Sequence, residues 1–165
     1  MQANIDPNVF LHFAARPLFF FHAVAGVAFA GISAHVLLSA TRRHLSGQTG
    51  HCRLERFVTI SLCVGLVVLA LGFLIYPEYK ANIRVAFINN TAPGVGKLFD
   101  IKEYLAVFTL PLSVFLFAGV KRFCKARDKV FGLLYLASLY LWFFLIWSVA
   151  IIGWYTTTVK SLGVA

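Results

Sequence analysis

The chain has 165 residues, of which 60% are hydrophobic and 13% charged, and it carries a formal net charge of +9. Soluble globular domains are roughly half apolar and about a quarter charged, so this composition lies well outside the soluble globular range. The basic residues flank apolar runs without a recognition module beside them, which excludes nucleic acid as a partner.

Met1 to Ala15 contains Asp6 and no Lys or Arg. With no basic n-region, and with an apolar run too long for a signal-peptide core, the first hydrophobic segment is expected to be a retained span. No lipidation signature is read at either end. Four stretches are long and apolar enough to cross a bilayer, at about residues 18–40, 57–76, 104–120 and 130–154. Backbone groups in hydrocarbon must pair internally, so the stretches are predicted to be helices. The expected fold is an all-α integral membrane four-helix bundle, one domain over residues 1–165.

The first span contains His22 and His35, and no other His, Asp, Glu, Lys or Arg lies inside any of the four apolar runs. An ionisable group in hydrocarbon is costly, and therefore a functional-site candidate. Gly26, Ala30 and Ala34 follow His22 at four-residue steps. Such a small-residue face admits a neighbouring backbone or a flat ligand, so His22 is expected to point into the bundle. His35 lies about 20 Å further along the helix axis and about 140° around it, off the His22 face.

The connection from Thr41 to Arg56 holds Arg42, Arg43, Arg53 and Arg56. The one from Lys121 to Lys129 holds Lys121, Arg122, Lys125, Arg127 and Lys129. Together they carry nine of the fifteen basic residues. Short cytoplasmic loops concentrate Lys and Arg, so these loops are expected inside and both termini outside, in a bacterial inner (cytoplasmic) membrane. Tyr76, Tyr79, Tyr104, Trp154 and Tyr155 then fall at the outer boundary, where amphipathic rings are favoured. Trp142 and Trp147 lie within the last span and have no such explanation.

Between spans two and three, Tyr79, Ile83 and Phe87 recur at helical spacing. This pattern predicts a short interfacial helix in the outer loop. Residues 89–94, Asn-Asn-Thr-Ala-Pro-Gly, then read as a turn. Asp100 and Glu103 open span three, where the helix dipole favours acidic side chains.

Cys52 and Cys124 fall in the inner connections and Cys63 in span two. None lies on the expected oxidising side and no Cys-x-x-Cys occurs, which argues against a thiol-oxidising enzyme. His44, His51 and Cys52 share a loop, but their spacing matches no established metal site. Phosphate-loop, zinc-protease and serine-hydrolase motifs are missing, as are paired intramembrane carboxylates.

Histidines near opposite faces of one span, beside glycines and aromatics, resemble the four-helix b-type cytochrome anchors of respiratory enzymes. The resemblance is architectural, and it implies haem b or a quinone pocket, with His22 and His35 as candidate cofactor-binding residues. It departs from that pattern in that spans two, three and four contain no histidine. A haem here would need a partner subunit's histidine, His12 from the N-terminal segment, or a five-coordinate iron. His22 with Glu103 is a candidate metal pair. The function expected from these residues is that of a small membrane subunit of an electron-transfer complex, respiratory or photosynthetic, with the bilayer and other membrane subunits as partners. A non-catalytic accessory subunit and a metal-using membrane enzyme or carrier are the alternatives.

Overall fold

The computed structural model describes residues 12–46, 52–81, 93–125 and 129–161. After a single 3-10 turn, His12–Ala14, four helices follow: α1 Ala15–Ser46, α2 Leu54–Glu78, α3 Pro93–Lys125 and α4 Lys129–Ser161. All four are long and apolar enough to cross a membrane. Only 17–33% of their most apolar windows is buried inside the protein. Phe20, Phe73, Phe108 and Phe144 are among the large apolar side chains left exposed. In water such a surface would associate; a bilayer is the solvent that suits it.

Every helix runs beyond the expected span. α1 continues to Ser46, so Arg43 and His44 occupy its last turn, where cations meet the negative end of the helix dipole. α2 passes through Pro77, just beyond the expected end of the second span at residue 76. Proline has no N–H to return to the Phe73 carbonyl, and the backbone widens into a π-type turn over residues 79–81. α3 begins at Pro93, well before the expected residue 104. Pro93 and Gly94, expected in a turn, open this helix instead, because proline's fixed φ and missing N–H suit a first helical position. Most of the expected interfacial helix, and residues 89–92, lie outside the described residues.

The helices pack in a ring, with α1 against α2 and α4, and α3 against α2 and α4. They alternate in direction. The end of α1, the start of α2, the end of α3 and the start of α4 share one end of the bundle. Arg43 Nη2 there donates to the Cys124 carbonyl at 3.2 Å, and Lys121 Nζ lies 3.5 Å from Glu55. The two basic connections are therefore on the same side. Cys52 and Cys124 form a disulfide at that end, with 5.9 Å between their Cα atoms. Sequence spacing gave no sign of this pairing, since 72 positions separate the two residues.

The core is concentrated toward the disulfide. Val36, Ala40, Leu116, Val120, Tyr135 and Leu139 are almost fully buried. The Tyr135 hydroxyl donates to the Leu116 carbonyl at 2.9 Å, and its ring stacks on Phe123. At mid-height Trp142 Nε1 donates to Ser113 Oγ, which in turn donates to the Thr109 carbonyl, both at 2.7 Å. Buried tryptophan requires such a partner, and this accounts for one of the two indoles the boundary rule left over.

Candidate functional site

Beyond Trp142 the packing changes. A cavity of about 290 Å³ lies among all four helices in the half away from the disulfide. Its base is closed by Phe29, whose ring meets Trp142 edge-on at 5.7 Å. Gly65 permits this approach, because a Cβ there would lie 3.0 Å from the Phe29 ring. The rear wall is α2 and α3, through Val68, Lys102 and Thr109, all buried or half-buried. On the other side the lining residues Ala23 and Val27 of α1 and Ala150 and Trp154 of α4 are exposed. The mouth therefore opens between α1 and α4, on the bundle's outer surface.

His22 is placed as its face predicted, inward and lining the cavity. Its Nδ1 is 3.1 Å from the Val68 carbonyl oxygen. In an α-helix that oxygen already accepts from the N–H four residues on, at Gly72, and it has a second lone pair to offer. A carbonyl only accepts, so Nδ1 carries the proton and donates it. In the neutral ring Nε2 then keeps its lone pair, and it has no hydrogen-bond partner among the described residues. Gly72 makes room for this posture: a Cβ there would lie 3.3 Å from His22 Cε1.

Lys102 enters from α3. Its side chain lies along Gly153 of α4, where a Cβ would sit 3.3 Å from both Cε and Nζ. The ammonium is 5.0 Å from the Phe99 ring centroid, and Phe99 stacks on Tyr79 at 3.8 Å. The ring quadrupole attracts the cation and helps hold it in an apolar setting. The hydroxyls that line the cavity donate to their own helices, Thr109 to Ala106 and Thr157 to Gly153. The His22 imidazole nitrogen and the Lys102 ammonium are left as polar groups at the inner side of the cavity, with the Trp154 indole at its mouth.

Sequence reasoning gave Lys102 no role. A usable signal was present, since Lys102, Ala106 and Thr109 recur at i, i+4 and i+7 on a small-residue face. Glu103, its neighbour in sequence, is not part of the cavity lining. Among the described residues no group of three or more His, Cys, Asp or Glu side chains is gathered for a metal ion.

His35 is exposed, with its ring against Phe57 at 4.4 Å and its Nε2 3.5 Å from Ser39 Oγ. It does not meet His22. His44 does share the His22 face, because α1 continues far enough to carry it inward. It stacks on Phe123 and presses on Gly132, where a Cβ would lie 2.9 Å from its Cε1. His51 lies outside the described residues, and Cys52 is engaged in the disulfide.

Comparison with family models, with curated proteins and with solved structures finds no match to this chain.

Proposed function

We propose that the chain is a small integral membrane subunit of an electron-transfer complex, and that its cavity forms a wall of a quinone pocket. The observation that carries this reading is an apolar cavity with two polar groups at its back and a mouth on the surface that faces lipid. A ligand using it arrives through hydrocarbon, carries a ring that fits a few hundred cubic ångströms, and has oxygens to meet an imidazole and an ammonium. Quinone headgroups have these properties. Photo-crosslinking with an azidoquinone in native membranes should label cavity-lining segments of α1 and α4. Labelling confined to other chains, or none, would defeat the proposal.

Haem b is a second reading, favoured by the His22 ring itself. An Nδ1–H bound to a backbone carbonyl with Nε2 left free is the posture of a metal-ligating histidine. Among the histidines whose side chains are described only His22 lines the cavity, so this chain would supply one axial ligand from α1, with His12 or a partner subunit as the source of any second. A reduced-minus-oxidised spectrum of the chain alone and of its complex tests this: an α-band lost in His22→Ala supports the ligand, and a band that survives removes it.

The orientation we propose is N-out and C-out in a bacterial inner membrane, with an interfacial helix in the outer loop. It rests on the nine basic residues of the two connections at the disulfide end. The Cys52–Cys124 bond weighs against it, because disulfides persist mainly in oxidising compartments. An impermeant maleimide applied to intact cells after mild reduction decides between the faces. Labelling from outside would invert the proposed orientation.

A further inference from the structure

We infer that the cavity takes a hydroquinone in preference to the corresponding quinone, and that His22 makes the distinction. This rests on the quinone reading above and adds the redox state of the ligand. The argument begins with the proton on His22. The Val68 carbonyl claims an N–H, so the neutral ring presents only an acceptor, Nε2, to anything else. A quinone's oxygens are also acceptors, and a carbonyl facing Nε2 leaves both groups unpaired in an apolar site. A hydroquinone's O–H donates to Nε2 and satisfies both.

Lys102 behaves differently. An ammonium donates to either a carbonyl or a hydroxyl oxygen, so it binds both redox forms without choosing between them. The glycines reinforce this division of roles. Gly72 seats the imidazole against the Val68 carbonyl, and Gly153 gives the Lys102 stem a track along α4. Neither polar group depends on the other for its position. Leaving buried polar groups unpaired costs about 1–3 kcal/mol, so a preference of about tenfold or more is expected.

Such a preference shifts the midpoint potential of the bound couple. For two electrons, tenfold tighter binding of the reduced form raises it by about 30 mV. The experiment is a redox titration of a decyl-tailed dimethoxybenzoquinone in lipid nanodiscs, with and without the protein, alongside its retention through gel filtration. The expected result is a raised midpoint with the wild-type chain. In His22→Phe the midpoint should return to the protein-free value with quinone still retained. In Lys102→Met retention of both forms should fall while the midpoint of what remains stays raised. A midpoint unchanged or lowered in the wild type, with the ligand retained, overturns the inference and leaves the quinone reading standing. No retention in either redox state overturns both.

Discussion

At one end of the bundle Cys52, Cys124, Arg43, His44 and Tyr135 all engage neighbouring groups, and Val36, Ala40 and Val120 are almost fully buried between the helices. At the other end His22 and Lys102 border about 290 Å³ of open volume. Each end uses a histidine on the same face of α1, pressed against a glycine of a neighbouring helix. The difference lies in what surrounds the ring. His44 is clamped between Phe123 and Gly132, whereas His22 is fastened through one nitrogen and open at the other. Residue type alone therefore says little about which histidine can bind something; the free valence and the adjoining space decide it.

The largest expected effect lies at the closed end. The Cys52–Cys124 bond closes a long loop across the α2–α3 seam, and in soluble proteins such links stabilise by about 2–4 kcal/mol. Helices already inserted in a bilayer have less chain entropy to lose, so the lower part of that range is expected. Thermal unfolding in detergent should move down on reduction and move equally in Cys52→Ser. Quinone retention at the far end should not change. A loss of retention on reduction would show that the two ends are coupled and undo the contrast.

The paired glycines give the next effect. In Gly132→Ala the new methyl would lie 2.9 Å from His44 Cε1, and the ring, stacked on Phe123, has little room to move. Overpacking of this kind costs about 1–3 kcal/mol. In Gly72→Ala the methyl would meet His22 Cε1 at 3.3 Å, but that ring can swing toward the cavity. The variant should keep its thermal stability to within about 1 kcal/mol, since only the neutral Val68 bond is given up. It should also lose the raised quinone midpoint, because the proton on Nδ1 is no longer fixed. Equal destabilisation by the two substitutions would mean that the cavity end is as tightly packed as the other.

Much of this architecture is legible in the amino-acid pattern. Apolar length gives four spans, the arginine and lysine clusters put the two connections on one side, and the four-residue steps after His22 give its inward face. What was missed has two causes. Hydropathy marks where the hydrocarbon core ends, not where the helix ends, so His44 was assigned to a connection although it lies on α1, and Lys102, before the expected start of span three, was given no role. The disulfide and the His22–Val68 bond were illegible for another reason. Each joins different helices, and their meeting depends on how the ring of four helices closes and rotates. The Trp142–Ser113 bond belongs with them, as does the contribution of Gly72, which is a plain apolar-span glycine until the imidazole is seen against it.

His35 provides the smallest effect and the sharpest control. Sequence ranks it beside His22, as the other histidine inside an apolar run, yet it lies exposed on the bundle surface against Phe57. His35→Leu removes a ring contact of about 0.5–1.5 kcal/mol and relieves hydrocarbon of a polar group, whose burial is itself unfavourable. The two terms oppose each other, so the net change in stability should stay below about 1 kcal/mol. Quinone retention, midpoint and any haem band should match the wild type. His22→Leu should spare stability to a similar degree and abolish the midpoint shift. If His35→Leu were instead the variant that lost cofactor or complex activity, the exposed face of α1 would be a contact with a partner subunit, and the cavity would lose its claim to be the principal site.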